Sequence, residues 1–560
     1  YETLGVDNNA VYIGSNRFNG GFANTDLFVI RKSALLAGSL VVTPFRNLIG
    51  ATQGMFTPWP CSNDDPAATT GFVIGVDAFS FGKLVARRVT DPGGTPAISS
   101  DIAITVPTTA NPADVSIPIN NAGGTLTIDA LDDRLFFARL AKNRITGETF
   151  AMTAHSIRTD SAGVGGAGDR NSARWYQIGN VFSGTPSLTS GTAVDTAASG
   201  FQHLTIASTA LNGQGHQLIG FTRANATTSP GVGISYRNSG SALVSAPVLA
   251  QAGVNYYNLQ SGANNKRWGD YSFTVVDPRN MMTMWTFQEY SSANNQWGTR
   301  AVEVKAPAPT VTTVAPASGN RGQTLNVVVT GTGIFDPDPS YPDHLSFNFG
   351  ANVTVNSVTW NSATQATVNI TIGTSAATGA RPFTLTNPDG QTANGQFTVN
   401  TGNISIAGTI NLPGWIGTGA GVGAPQFVFE LRNATTNAVL ATQTVALGAS
   451  NTFNWSVAQP GNTQYKLWIK GVKRFLGVVQ TINTGASGVS GLAYTLPNGD
   501  IDGNNIVSTS DYNALRAAWG ATSTNANWAT YQWADLDGNG FVGTADYNLM
   551  RATWGSVGNP

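Results

Sequence analysis

Hydrophobic positions before residue 498 follow the pattern of β-strands. Short β-branched and aromatic runs alternate with turns rich in Gly, Asn, Asp and Pro, which is typical of all-β proteins. In residues 465–470, for example, Tyr, Leu and Ile share one face of a predicted strand, and Lys, Trp and Lys share the other. Helical periodicity is nearly absent until residue 498. The pattern therefore predicts a mostly β protein with a small α-helical tail.

Residues 1–305 contain recurring strand-rich units. The units start near Gly5, Gly71, Asp132, Phe201 and Arg267, so the repeat is about 66 residues long. Radial repetition of four-stranded sheets builds a β-propeller, and we predict one over 1–305. Stacked β-sandwiches are the alternative, because the register of the repeat is loose.

Composition shifts divide the rest of the chain. The Pro-rich residues 306–309 form the clearest linker, and softer boundaries fall near 400–402 and 497–499. We predict two β-sandwich modules, over 306–400 and 401–497, and a separate tail over 498–560.

Two of these segments resemble known modules. The runs at 310–314, 322–333 and 383–390 resemble a TIG domain, which implies an immunoglobulin-like sandwich over 306–400 that acts as a spacer or a binding surface. Segment 401–497 is similar to the prealbumin-like modules that lie beside secreted catalytic domains. This resemblance implies a second spacer.

The strongest motif is a duplicated acidic loop, at 500–511 and 535–546. Alternating Asp and Asn place oxygen ligands at positions 1, 3, 5 and 12, and position 7 offers a backbone carbonyl, as calcium requires. Position 9 is Ser508 in the first loop but Gly543 in the second, where water must substitute. Position 6 favours a residue with positive φ, and Asn505 and Gly540 occupy it. The candidate ligands for two Ca²⁺ ions are Asp500, Asp502, Asn504, Ile506, Ser508, Asp511, Asp535, Asp537, Asn539, Phe541 and Asp546.

Each loop is followed by a short predicted helix, over 511–519 and 546–554, in which Tyr, Leu or Met, and Trp line one face. Two such loop–helix units resemble a type I dockerin domain over 498–560. The resemblance implies folding that requires calcium, and binding to a cohesin-like module. The positions that match the partner contacts of the family are Thr509, Ser510, Arg516, Thr544, Ala545 and Arg551. Ala545 departs from the usual hydroxyl residue.

A weaker motif raises the alternative of an enzyme. Residues 267–272, Arg-Trp-Gly-Asp-Tyr-Ser, resemble a segment of secreted propellers grouped with sialidases. That resemblance implies a glycoside hydrolase with an arginine cluster, a Tyr nucleophile, a Glu base and an Asp acid. The matching residues are Arg174, Arg237, Arg267, Asp270, Tyr271 and Glu289. The competing interpretation, which we favour, assigns no catalytic residue and has these side chains lock neighbouring sheets together.

Charge and composition exclude other classes. Lys+Arg is 30 and Asp+Glu is 31, so the chain lacks the positive charge of a nucleic-acid binder. No apolar run is long enough for a membrane span. The single cysteine, Cys61, excludes an intrachain disulfide. The chain begins at Tyr1 without Met, from which we expect a processed or truncated product.

Together these patterns predict a secreted, bacterial-type modular protein, located outside the cell or at its surface. We expect a structural or adhesive role, with assembly through the calcium-dependent tail into a filament or a surface layer. The expected partners are a cohesin-like module or neighbouring copies of the same chain, with glycans as further candidates. The alternative is a glycan-binding or glycan-hydrolysing component of a cellulosome-like complex.

Overall fold

The computed structural model describes residues 1–118, 125–258, 267–417, 422–485 and 487–560. The protein is mostly β, with a small helical segment at its C-terminal end, so the predicted fold class is confirmed at that level. Within these described ranges, every helix is too short or too polar to cross a lipid bilayer.

The described part of residues 1–305 forms five consecutive antiparallel sheets and one extra hairpin. The first sheet contains β1 (Glu2–Val6), β2 (Ala10–Phe18), β3 (Phe22–Arg31) and β4 (Val42–Phe45), with the short helix α1 (Lys32–Leu36) after β3. The second contains β5 (Met55–Pro60), β6 (Thr70–Asp77), β7 (Lys83–Thr90), β8 (Ala97–Ile98) and β9 (Ile102–Thr105). The hairpin is β10 (Val115–Pro118) and β11 (Thr125–Ile128).

The remaining three sheets follow in chain order. The third contains β12 (Phe137–Lys142), β13 (Thr149–Thr159), β14 (Arg170–Gly179) and β15 (Ser187–Ala193). The fourth contains β16 (His203–Leu211), β17 (Gln217–Asn225), β18 (Thr228–Arg237) and β19 (Val248–Gln251). The fifth contains β20 (Phe273–Val276), β21 (Met284–Ala293) and β22 (Gln296–Val304).

The five sheets touch one another in sequence. The first strands β1, β5, β12, β16 and β20 each contact the next in that series. The fifth sheet then returns to the first: the Tyr271 hydroxyl donates to the Glu2 carbonyl at 3.0 Å, and the Tyr1 hydroxyl donates to the Asp270 carbonyl at 2.8 Å. The rings of Tyr1 and Tyr271 stack with centroids 4.9 Å apart. Whether this series of sheets is a propeller stays a prediction.

Residues 306–400 form two four-stranded sheets around one core. The strands are β23 (Thr310–Ala315), β24 (Ser318–Asn320), β25 (Thr324–Thr332), β26 (Ser346–Asn348), β27 (Val353–Ser362), β28 (Gln365–Ile372), β29 (Gly379–Thr386) and β30 (Thr392–Asn400). The loop after β25 reaches back to the N-terminal sheets. There the buried ring of Phe335 packs with Met281 and Met282, and Asp338 pairs with Lys142 and Arg144.

Residues 401–497 form a second two-sheet core. The strands are β31 (Ile404–Asn411), β32 (Gln426–Asn433), β33 (Val439–Ala446), β34 (Thr452–Val457), β35 (Gln464–Gly471), β36 (Arg474–Phe475), β37 (Val478–Asn483) and β38 (Gly488–Thr495). In β35 the predicted inner face is buried at Tyr465, Leu467 and Ile469. Lys470, on the opposite face, is buried as well, because the tail covers that end of the strand.

The tail contains β39 (Asn498–Asp500), α2 (Thr509–Ala517), α3 (Trp528–Tyr531), a 3₁₀ turn over Gln532–Ala534, and α4 (Thr544–Ala552). Its core includes Val507, Leu515, Val542 and Met550, together with Leu476 from the preceding sandwich. β39 also pairs with β36 across the predicted boundary. The tail is therefore packed onto the sandwich.

Candidate metal centre

Each acidic loop leads directly into a helix. In the first loop Ser508 caps α2: the Ser510 N–H donates to its hydroxyl, and the Ser508 N–H donates to Asp511 Oδ2 at 2.9 Å. In the second loop Gly543 precedes α4 without a capping side chain, and its N–H donates to Asp546 Oδ2 at 2.7 Å. An Asp in the first turn of a helix is favoured by the exposed N–H groups there. The predicted position 12 is thus held at the helix start in both loops.

Three carboxylates converge in each loop. Oxygen atoms of Asp500, Asp502 and Asp511 lie within 4.8 Å of one another, and so do those of the second triad. The second triad consists of Asp535, Asp537 and Asp546, all three buried. In the first triad Asp500 and Asp511 are buried and Asp502 is exposed. Buried carboxylates close to one another are unfavourable unless a cation balances them. Each group could therefore hold a metal ion.

The orientation of Asp500 fits such an ion. Its Oδ2 accepts a hydrogen bond from the Asn505 N–H at 3.1 Å, whereas Oδ1 is buried and has no hydrogen-bond partner. A buried, unpartnered carboxylate oxygen is costly, and a cation within the triad would satisfy it. Position 6 has the conformation that the tight loop needs, with φ of 73° at Asn505 and 86° at Gly540.

The other predicted ligands border the triads. Asn504 Oδ1 accepts from the Ile506 N–H at 2.9 Å, and Asn539 Oδ1 accepts from the Phe541 N–H at 2.7 Å. These bonds shape the turn of each loop and leave the side chains of Ile506 and Phe541 exposed. The Ser508 hydroxyl belongs to the helix cap. For these positions, coordination to a metal stays a prediction.

Burial raises the pKa of three carboxylates in the triads, those of Asp500, Asp535 and Asp546. Burial raises the pKa of Asp535 to about 6 and also raises the pKa of Asp546. Burial raises the pKa of Asp500 too, although the ammonium of Lys470 beside it acts in the opposite direction. The ionised carboxylates are therefore held at a free-energy cost that a bound cation would offset.

The sandwich packs on both loops at the same position, the glycine at position 4. A Cβ on Gly503 would lie 2.8 Å from the Val472 carbonyl oxygen, and a Cβ on Gly538 would lie 2.7 Å from the ring of Trp415. The Ile416 N–H also donates to the Asp537 carbonyl at 2.7 Å. Both glycines have positive φ, so a side chain at either position would meet strain as well as a clash.

The predicted partner-binding residues all lie on the solvent side of the tail. Those residues are Thr509, Ser510, Arg516, Thr544, Ala545 and Arg551, each exposed. Between α2 and α4 the structure adds a cleft of about 390 Å³, lined by Thr509, Tyr512, Tyr547, Met550, Arg551 and Trp554. The ring of Tyr512 lies edge-on to those of Tyr547 and Trp554, with centroids 6.4 and 6.3 Å apart.

The side chains predicted to share one helix face differ in burial. Leu515 and Met550 are buried, whereas Tyr512 is 37% exposed and Trp554 is 51% exposed. Spacing alone groups these residues on one face and does not tell which of them another surface covers. The aromatic cleft is thus a candidate binding surface that only the packing reveals.

The residues of the enzyme alternative make structural contacts. Arg267 donates to both carboxylate oxygens of Asp270, at 3.0 and 2.9 Å, and Tyr271 joins the fifth sheet to the first. Burial raises the pKa of Glu289 to about 7, and the Gly269 N–H opposes this.

The two other arginines of that set are held within β14 and β18. Arg174 donates to Thr192 Oγ1 at 2.8 Å. Arg237 donates to Gln217 and Gln177 and lies over the ring of Trp175. These contacts are those of sheet-locking side chains, and a catalytic role stays an untested alternative.

No protein-family model and no curated protein matches this chain. The solved structures that are similar to it at a low level include the following three. The full extracellular region of Plexin A4 (domains 1 to 10) is 7% identical with a TM-score of 0.22; the match covers 88% of this chain and 59% of that chain. A GH43_12 retrieved from a capybara gut metagenome is 10% identical with a TM-score of 0.25, over 88% of this chain and 82% of that chain.

The third structure is a tetra-tandem repeat in the extending region of a large adhesion protein. It is 10% identical with a TM-score of 0.15, over 87% of this chain and 100% of that chain. This chain thus spans only about 59% of the length of the Plexin A4 region. TM-scores at this level are too low to assign a fold or a function.

Proposed function

We propose that this chain is a secreted structural or adhesive protein that assembles outside the cell through a calcium-dependent, dockerin-like tail. One observation carries the proposal: two acidic triads, 35 residues apart in sequence, each stand at the start of a helix, and the two helices expose an aromatic cleft. Metal triads alone would fit a purely structural ion. The exposed cleft beside them favours a docking role.

Calcium is the cation that this ligand set fits best. The triads and their neighbours offer only oxygen donors, namely carboxylates, amide oxygens and backbone carbonyls, in loops of twelve residues. Calcium accepts six to eight such oxygens in flexible geometry. Bound calcium would offset two of the three negative charges in each triad. The loop N–H groups that donate to Asp511 and Asp546 hold those carboxylates in place.

The modules before the tail support an assembly role. We propose that the five sheets of residues 1–305 form a β-propeller, supported by their sequential contacts and by the return of the fifth sheet to the first. The two sandwiches act as spacers. A tail that docks onto a different surface of a neighbouring copy makes a heterologous contact, and such contacts generate filaments when they do not close. A separate cohesin-like module is the other candidate partner.

The proposal is tested on the full chain by light scattering and negative-stain microscopy, in calcium and in excess EGTA. The matched control is the double variant Asp511→Asn, Asp546→Asn, which keeps the shape of both side chains and removes their charge. Ordered polymers that require calcium and are absent in the double variant would support self-assembly. If calorimetry detects no calcium binding, the proposed role of the tail is refuted. Calcium binding by a chain that stays monomeric would refute self-assembly and leave the cohesin-like partner to be tested by capture.

A further inference from the structure

A positively charged side chain lies beside the first acidic triad. Lys470, at the end of β35 in the preceding sandwich, places its Nζ 3.0 Å from Asp500 Oδ2. The same ammonium donates to the carbonyls of Gly471 at 2.9 Å and Gly503 at 3.0 Å. An ammonium has three donors, and these three acceptors match them. Lys470 is buried, so this geometry is fixed by packing.

The two carboxylate oxygens of Asp500 therefore have different surroundings. Oδ2 is engaged by Lys470 and by the Asn505 N–H, whereas Oδ1 is buried without a partner. The free oxygen is the one that can bind a metal ion. Any ion there would share the carboxylate with an ammonium that already neutralises part of its charge.

The second triad differs from the first in its positively charged neighbours. In the part of the chain that the structure describes, no Lys or Arg lies within ion-pair distance of Asp535, Asp537 or Asp546. The charge of Arg474 acts on Asp535. Arg474 is buried between the rings of Trp415 and Trp533, 4.9 and 5.1 Å from their centroids. Its guanidinium donates to the Gln532 carbonyl, so its charge acts on the second triad only at longer range.

Two electrostatic effects of Lys470 act together. A positive charge next to a ligand carboxylate repels a divalent ion and weakens that ligand. The same charge stabilises the ion-free loop, because it compensates one of three clustered carboxylates. Both effects reduce the free energy gained when an ion binds to the first loop.

We propose that Lys470 is a built-in counter-cation of the first loop, which makes calcium bind there more weakly than in the second loop and stabilises the ion-free loop by compensating the charge of Asp500. This inference rests on the proposed calcium binding. Its consequence is an order of filling: the second loop binds calcium first, and the first loop fills only at higher calcium concentration.

Further contacts show that the sandwich holds the first loop independently of Lys470. The Gly477 N–H donates to Asn505 Oδ1 at 2.7 Å. The side-chain amide of Asn505 and the indole of Trp468 both donate to the Asn559 carbonyl, at 3.0 and 2.8 Å. Removal of the ammonium should therefore leave the loop in place, and this makes the proposal testable by substitution.

The experiment titrates the full chain with CaCl₂ alone, by calorimetry, after calcium has been removed with chelating resin. The wild type should show one tight and one weak class of site, and Asp511→Asn should abolish the weak class. Lys470→Met should tighten the weak class about tenfold or more. Lys466→Met is the matched control, because Lys466 lies on the same strand and face but donates only to Asn437; it should leave both classes unchanged.

Thermal unfolding provides a second readout. Lys470→Met should lower Tm in EGTA and widen the gap between Tm in EGTA and Tm in calcium. If Lys470→Met does not fold, Lys470→Gln removes the charge while it keeps hydrogen-bond donors, and it should tighten the weak class in the same direction.

Three results would overturn the inference: two sites of equal affinity in the wild type, an unchanged or weaker site in both Lys470 variants, or loss of the tight class in Asp511→Asn. A wild type that binds no calcium at all would instead overturn the proposed function, and the two failures are therefore distinguishable.

Discussion

The backbone N–H of Gly555 donates a 3.0 Å hydrogen bond to the carbonyl of Val507. Val507 lies in the first acidic loop, whereas Gly555 follows the helix of the second unit. The reciprocal bond joins the Gly520 N–H to the Val542 carbonyl at 2.9 Å. Each loop is therefore completed by the end of the other unit, and the two units stabilise each other.

These reciprocal hydrogen bonds predict that metal binding in one loop slows hydrogen exchange in the other loop. In Asp511→Asn the second triad is intact, so calcium should still slow hydrogen exchange at the Val507 amide, whose acceptor is the Ser556 carbonyl at 2.9 Å. At a free calcium concentration about 100 times the Kd of a loop, binding stabilises that loop by about 2.7 kcal/mol. Stabilisation of this size has a large effect on hydrogen exchange. Hydrogen-exchange mass spectrometry measures it. Protection that rises at Val542 but not at Val507 would show that the units are independent.

The aromatic cleft should matter for assembly and little for stability. Trp554→Ala removes an indole that is 51% exposed and touches the ring of Tyr512. An exposed aromatic pair contributes about 1 kcal/mol or less to folding, so Tm should change slightly while calcium-dependent light scattering is lost. Trp297→Ala, at another exposed indole, is the control. Equal scattering in wild type and Trp554→Ala would remove the cleft from the docking surface.

His155 should make the N-terminal sheets sensitive to acid. Its ring is fully buried, with Nε2 3.0 Å from the Tyr176 hydroxyl, and burial lowers its pKa from 6.5 to about 4. Because the unfolded chain binds this proton more readily, the stability is complete above about pH 6.5 and is lost as pH falls towards 4. The effect is on the order of 3 kcal/mol.

The measurement for His155 is urea denaturation of wild type and His155→Gln between pH 4 and 7. The difference in unfolding free energy between the two proteins should shrink as pH falls, while slopes due to other groups, such as Glu289, cancel. A difference that is constant with pH would contradict the assignment.

Phe335 should be a major contributor to the junction between the N-terminal sheets and the next module. Its ring is fully buried with Met281 and Met282, and it meets the ring of Trp360 edge-on at 5.9 Å. Phe335→Ala should reduce the unfolding free energy by about 3–5 kcal/mol. Chemical denaturation measures this loss, with Phe79→Ala, at a ring that is 53% exposed, as control. A loss below about 1 kcal/mol would mean that the junction does not depend on this ring.

Tyr271→Phe separates a structural role from the catalytic alternative. The substitution removes the bond from the hydroxyl to the Glu2 carbonyl, which should lower stability by about 1 kcal/mol. If the glycoside-hydrolase alternative holds, the same variant should lose turnover on chromogenic glycosides while it stays folded. Wild-type protein without turnover on such substrates would favour the structural role.

Local sequence determined the strand content, the helical tail and the two acidic triads. In each loop the ligands lie within twelve residues, so the turn geometry that brings them together depends on neighbours along the chain. The positive φ at Asn505 and Gly540 follows from the same short-range rules. Each helix begins two residues before the predicted start, at Thr509 and Thr544, because its first turn lies inside the loop.

Contacts between distant residues depended on the tertiary structure. Alternation along β35 placed Lys470 on a polar face, and only the packing of the tail buried it beside Asp500. The pairing of Tyr1 with Tyr271 spans almost the whole N-terminal region. Helical spacing likewise put Tyr512 and Leu515 on one face without telling which is covered. The physical reason is that hydrophobic and polar periodicity defines which side chains share a surface, whereas burial and ion pairing depend on which other surface packs against it.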